Sequence, residues 1–148
     1  MATSIVLADA QGTPANHTFA PHGPDKEGTF WFVDPVGDVS NGNGAAIGAW
    51  RVSIQLKSPV APAAGTNSQT RTYRAVIGLH EPAISATDYG SNGLEPAPTV
   101  AYTPRCFVEF VLPERSPLEN RKHLRKMVYN LLNNAQVISC VEDLTPPY

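Results

Sequence analysis

In three runs before residue 113 the apolar residues of this chain recur at every second position; from residue 118 onward they recur at every third or fourth. In the run 50–57, Trp50, Val52, Ile54 and Leu56 alternate with Arg51, Ser53, Gln55 and Lys57. In 73–80, Tyr73, Ala75, Ile77 and Leu79 alternate with Arg74, Val76, Gly78 and His80. In 105–112, Cys106, Val108, Phe110 and Leu112 alternate with Arg105, Phe107, Glu109 and Val111. Period-two alternation puts one set on a covered face and the other on a wet face, which is the pattern of an antiparallel sheet.

Two further strands precede these runs. Ile5 to Ala8, a turn at Gly12-Thr13-Pro14 and a return at His17 to Ala20 read as an N-terminal hairpin. Thr29 to Val33 is aromatic and β-branched, stops at Asp34-Pro35, and is followed by the turn signal Asn41-Gly42-Asn43-Gly44. After the sheet, Ser116-Pro117-Leu118-Glu119 has the form of a capping box, with Ser116 as N-cap and Pro117 at the first helical position. Leu124, Met127, Val128, Leu131 and Leu132 then make an amphipathic stripe. Asn133-Asn134 breaks it, and Val137, Ile138, Val141 and Leu144 resume it until Pro146-Pro147. Strands first and two helices last make an α+β chain, expected as a single domain over 1–148 with hairpin and sheet in 1–113 and helices in 114–148.

The connections 34–48, 58–71 and 82–100 are at or beyond the length at which structureless loops become uncommon in a compact domain. They are rich in Pro, Gly, Ala, Ser and Asn. Such loops, beside a sheet too small for two helices of this size, suggest that the folding partner is a second copy of the chain. Fourteen prolines and eleven glycines agree with many turns. A formal charge of −2 excludes the strongly basic domain usual for nucleic-acid modules, although charges of opposite sign can be sorted onto different faces. Cys106 and Cys140 have no metal-ligand spacing and read as two small buried thiols. Ser4 to Ala8 is too short and unflanked for a signal peptide, and no apolar run approaches the ~18 residues of a membrane span. The expectation is a soluble product that stays where it is made, with no cofactor and no small-molecule substrate.

Several segments together resemble the coat proteins of the single-stranded RNA phages, the leviviruses. Val6-Leu7-Ala8-Asp9, Gly12-Thr13 and Thr18-Phe19-Ala20-Pro21 resemble the family's hairpin; Gly28-Thr29-Phe30-Trp31 is similar to its first sheet strand. Tyr73-Arg74-Ala75-Val76-Ile77 resembles a central strand, and Glu109-Phe110-Val111-Leu112-Pro113 the end of the last one. Val137-Ile138-Ser139-Cys140-Val141-Glu142-Asp143-Leu144, with Pro147-Tyr148 at the end, resembles the Q-beta-like branch. The resemblance implies an N-terminal hairpin, a five-stranded antiparallel sheet and two C-terminal helices. It further implies a homodimer with one continuous ten-stranded sheet and interlocked helices, and an icosahedral shell (T=3 in the family's usual lattice) assembled in the bacterial host cytoplasm. Leu124, Met127, Val128, Leu131, Val137, Ile138, Val141 and Leu144 are then the expected dimer-interface residues; an ordinary intrachain core would use the same ones.

With helices on the apolar side, the wet side of the sheet would face the shell interior. Arg51, Lys57, Arg74, Arg105 and His80 stand there against Glu109, a positive surplus able to attract phosphate. By resemblance, Thr29, Ser53, Gln55, Lys57, Arg105, Phe107 and Glu109 match family positions that contact single-stranded RNA. The match departs at Val76 or Gly78, where a lysine is expected, and at Phe107, which replaces a polar residue. Genome packaging is implied; translational repression through one RNA hairpin follows only as far as these departures allow. In the loop 82–100, Asp88, Tyr89, Asn92 and Glu95 are the expected contacts between dimers. The Q-beta-like branch carries cross-linking cysteines there; this chain has none.

Enzyme motifs are missing. His80-Glu81 lacks HExxH spacing, there is no GxSxG, P-loop or dinucleotide fingerprint, and a scattered set such as Ser85, His80 and Asp88 has no supporting pattern. Arg121, Lys122, Arg125 and Lys126 read first as a solvated helix face. The alternative from another class is a cellular dimeric RNA-binding or adaptor module of α+β type.

Overall fold

The computed structural model describes residues 2–36, 46–61, 71–85 and 99–147. The expected turn at 41–44 and the loop residues Asp88, Tyr89, Asn92 and Glu95 lie outside them. The chain divides into two compact units, Met1–Ser58 with Tyr73–Val111, and Pro59–Thr72 with Leu112–Tyr148.

The first unit is built on strands β1 (Ile5–Ala8), β2 (Asn16–Pro24), β3 (Phe30–Asp34), β4 (Trp50–Lys57), β5 (Thr72–His80) and β8 (Arg105–Pro113), hydrogen-bonded in the order β1-β2-β3-β4-β5-β8. The pairings from β1 to β5 are antiparallel. β2 runs four residues past the expected strand because it serves two partners. Its first half pairs with β1 to close the hairpin, and its second half pairs with β3, with a register shift between Pro21 and Gly23. The 82–100 connection is not wholly irregular: β6 (Ala83–Ile84) and β7 (Val100–Tyr102) pair at its two ends.

Register fixes the faces. Phe32 pairs with Val52 and Val52 with Leu79, so these share one side, and Phe19 packs on it with Ile5 and Trp50. Phe19, 1% exposed, is the centre of this small core. The hairpin covers only part of that side. Further along it Phe30, Ile54, Ile77 and Leu56 are exposed, although register sets Phe30 beside Ile54 and Ile54 beside Ile77. A contiguous apolar patch is therefore left open in the single chain.

A buried polar knot ties the hairpin to the sheet. His17 Nδ1 lies 2.8 Å from Asp34 Oδ2, and Nε2 lies 3.3 Å from Asp9 Oδ2. The imidazole also stacks on Trp50 at 4.4 Å between centroids. Burial opposes charge on this ring, but the hydrogen bonds it donates to Asp34 and Asp9, with their negative charge, outweigh it, so His17 titrates above its ordinary value.

The second unit contains α1 (Leu118–Leu132) and α2 (Ala135–Glu142). The expected capping box does not form. Pro117 is the N-cap, with no side-chain cap bond, and the Ser116 N–H instead closes a turn on Pro113. Pro117 has φ −64°, which a helix also allows, but its ψ of 155° is extended, so the helix starts one residue on from the expected position. α2 is capped by a side chain: Asn134 Oδ1 accepts from the Gln136 N–H at 3.0 Å. The expected stripe ran on to Leu144, yet α2 ends at Glu142 and Leu144 sits beyond it at φ 55°. Arg71 and Glu114 join the segments of this unit by an ion pair at 3.2 Å and a backbone hydrogen bond. Neither helix buries a residue within the single chain, and Met127, Val141 and Leu144 are 67%, 69% and 84% exposed.

Cys106 and Cys140 are free and exposed, which corrects the expectation of buried thiols. Cys106 stands on β8, the edge of the sheet within one chain, and Cys140 stands on a helix that buries nothing. Alternation and periodicity identify the apolar side of an element, but they do not say whether the same chain covers it.

Candidate nucleic-acid interface

Strand parity gathers most of the expected RNA-contact residues on the side of the sheet opposite the Phe19 core. The ladder β4–β5 sets Arg51 beside His80, Ser53 beside Gly78, Gln55 beside Val76 and Lys57 beside Arg74. From β8, Glu109 reaches Arg74 at 3.3 Å and Phe107 meets His80 edge-on at 5.2 Å, so β8 turns the same side chains to this face. The described strands supply Arg51, Lys57, Arg74 and Arg105 to this side against one carboxylate, Glu109. That cationic surplus stands on a chain of net charge −2.

The residues differ in how free they are. Arg51, Lys57, Arg74, Arg105 and Phe107 are exposed. Ser53 is buried at 7%. A Cβ added at Gly78 would come 2.5 Å from Ser53 Oγ and 2.9 Å from Cε1 of Phe107, so the Phe107 ring occupies the space that a longer side chain at 78 would need. Gln55 is committed elsewhere, its Nε2 donating to the Glu27 carbonyl at 3.0 Å. Thr29 lies in the β2–β3 turn, where its N–H donates to Asp25. Of the two positions at which a lysine was expected, Val76 lies beside Gln55 and Gly78 beside Ser53, and neither carries charge.

Trp31 extends the expected His80 and Phe107 into an aromatic row that the sequence reading does not contain. Trp31 and His80 lie 5.7 Å apart, and His80 and Phe107 continue the row. Trp31 is accessible to parity alone, because it stands two residues from Thr29 in the run 29–33 that reads as a strand in the sequence. Asp25 holds it in place, accepting from Trp31 Nε1 at 3.0 Å and from the N–H groups of Glu27 and Thr29 at 2.9 Å each. These bonds, the indole's first, hold the Asp25 carboxyl below its ordinary value. The turn needs Gly28 at φ 78°, a conformation that costs a side-chain-bearing residue energy. Burial, then the charges of Arg105 and Arg51, push His80 below its ordinary value, so the ring is neutral at neutral pH.

Two clefts border Trp31. The larger, about 620 Å³, opens where the β2 register shift splays the strand, between His22, Gly23, Trp31, Val33 and Arg51. The smaller, about 220 Å³, lies beside Arg51, His80 and Arg105. No cluster of three or more potential metal ligands occurs among the described residues, and no helix there is long and apolar enough to cross a membrane.

The sequence matches the family model described as levivirus coat protein over residues 1–148. The chain belongs to the levivirus coat protein family. It is therefore a structural protein of the virion rather than an enzyme. The fold of the coat protein is similar to solved members. The virus-like particle of bacteriophage ESE058 shares 40% identity with a TM-score of 0.84, covering 100% of this chain and 99% of that one. The virus-like particle of bacteriophage NT-214 shares 27% with a TM-score of 0.77, covering 100% and 99%. The capsid protein of bacteriophage GA shows the same fold at 20% identity and a TM-score of 0.64, covering 95% and 93%. No curated protein sequence matches the coat protein.

Proposed function

We propose that this coat protein forms a homodimer, assembles in the bacterial cytoplasm into an icosahedral shell, and packages single-stranded phage RNA on its polar sheet face. The observation that carries this is the bare apolar surface of the single chain. Both helices leave their stripes exposed, and the sheet leaves Phe30, Ile54, Leu56 and Ile77 open. Fully burying one such side chain contributes about 1.5–3 kcal/mol, and a contiguous exposed patch of this kind marks an interface. Leu124, Met127, Val128, Leu131, Val137, Ile138, Val141 and Leu144 are the proposed dimer contacts. β8 is a nine-residue sheet edge, and pairing it with its copy would make the ten-stranded sheet and remove an unpaired edge. Residues 1–148 then act as one coat-protein domain.

The RNA contacts proposed are Thr29, Arg51, Ser53, Gln55, Lys57, Arg74, Arg105, Phe107 and Glu109. The exposed cations neutralise phosphate, and the other residues shape the surface around them. Repression through one operator hairpin would rely on Thr29, Arg74, Arg105 and Phe107, since Ser53 is buried and Gln55 is engaged. Asp88, Tyr89, Asn92 and Glu95 are proposed as contacts between dimers. Expression of the protein alone tests the reading. Purified material should elute in the void volume, absorb as nucleoprotein and show uniform spherical particles by electron microscopy. A small dimeric adaptor would elute as a dimer without RNA, and a monodisperse monomer at micromolar concentration would rule out the proposal.

A further inference from the structure

We infer that the cleft between His22, Trp31 and Arg51 captures an unpaired nucleobase of the RNA, stacked on the Trp31 indole. The inference rests on the packaging reading and adds to it the His22 and Trp31 walls of a cleft that shares only Arg51 with the RNA contacts proposed above. Its volume, about 620 Å³, lies within the roughly 300–1,000 Å³ of small-molecule sites and exceeds that of a base. The cleft is built into the strand: β2 shifts register between Pro21 and Gly23, with Gly23 at φ 113°, and this opens the space beside Trp31.

Its chemistry matches one class of ligand. Trp31 is anchored by its Nε1 to Asp25, so the ring is oriented before a ligand arrives. The Asp25 carboxylate is already engaged by three N–H donors. Arg51 borders both the larger cleft and the smaller one, where Arg105 joins it, so a backbone passing from one to the other meets two cations. An aromatic platform next to a cationic track is how single strands are held without sequence preference. Elsewhere on the face, Ser53 is buried, Gly78 has no side chain and Gln55 is hydrogen-bonded, which leaves the Trp31 cleft as the open, pre-shaped one.

The test uses full-length protein freed of RNA. It contains two tryptophans, and Trp50→Phe keeps a ring against His17 while leaving Trp31 as the sole indole. Titration with a twelve-residue oligoadenylate should quench Trp31 fluorescence. An abasic oligomer of equal length and charge should bind without quenching. In the background of the natural Trp50, Trp31→Leu should weaken oligoadenylate binding by about five- to 150-fold, the loss of one stacked base, and leave abasic binding unchanged. Trp31→Phe, which keeps a ring but loses the bond to Asp25, should recover most of the affinity. Equal binding of both oligomers without quenching overturns the cleft and leaves packaging intact, as does a Trp31→Phe loss as large as that of Trp31→Leu. Binding of neither oligomer overturns the packaging reading itself.

Discussion

His17 shows how one side chain can hold an element in place and make its stability depend on pH. It is 7% exposed, it bonds Asp34, which is 2% exposed, and it belongs to β2 while Asp9 follows β1 and Asp34 ends β3. Removing the imidazole strands a buried carboxylate. We expect His17→Phe to cost about 3 kcal/mol at pH 7–8, and the double variant His17→Phe, Asp34→Asn to recover more than half of that. The pH dependence follows from the raised value in the folded state. Protonated His17 stabilises the fold fully below about 6.5, and that contribution is lost as pH rises through the higher folded value. The stability advantage of the natural protein over the double variant should therefore grow from pH 8.5 to pH 6, by denaturant titration followed with circular dichroism. An advantage that is flat or shrinks on acidification would show that the pair is not an ionic clamp. His80 works in the opposite direction, since its lowered value costs stability as pH falls below 6.5, so each histidine needs its own variant.

At the scale of elements, the two helix starts separate what a motif suggests from what the backbone uses. Ser116 fits a capping sequence but makes no cap bond, whereas Asn134 follows no box and does cap α2. Ser116→Ala should change stability by less than about 0.5 kcal/mol, while Asn134→Ala should cost about 1 kcal/mol. Chemical denaturation of both variants checks this, and a Ser116→Ala loss as large as that of Asn134→Ala would contradict the geometry. The same contrast shows what was legible in the sequence. The bounds of β4 are legible in the sequence because a clean alternation between two breaks leaves no freedom of register. The second half of β2 is not legible, because a strand that changes partner at a bulge leaves no periodic signal, and the cleft beside Trp31 is hidden for the same reason. The polar face was readable from parity. The burial of Ser53 and the capture of Gln55 by the Glu27 carbonyl were not, because both depend on which strands become neighbours.

At the scale of the whole molecule, the interactions proposed for the shell and for its RNA respond to different reagents. The connection 82–100 contains no cysteine, and Cys106 and Cys140 are free within the chain. A shell held by packing and hydrogen bonds alone should melt at the same temperature with and without reductant, and should run as a single subunit on non-reducing electrophoresis. A ladder of covalent multimers would show cross-linking through those two thiols. Salt separates the two functions. Release of counterions makes phosphate binding fall steeply with ionic strength, while apolar burial does not weaken in this way. Arg51, Lys57, Arg74 and Arg105 offer four phosphate contacts per chain, and one of them, Arg74, is partly neutralised by Glu109. Affinity of the disassembled dimer for a non-specific oligonucleotide should thus fall by at least tenfold between 50 and 200 mM salt, by roughly the slope expected for three to four contacts per chain on a single strand. Over the same range the dimer should remain a dimer by sedimentation. If dissociation into monomers followed the same salt dependence, charge rather than the exposed helical stripes would be joining the subunits.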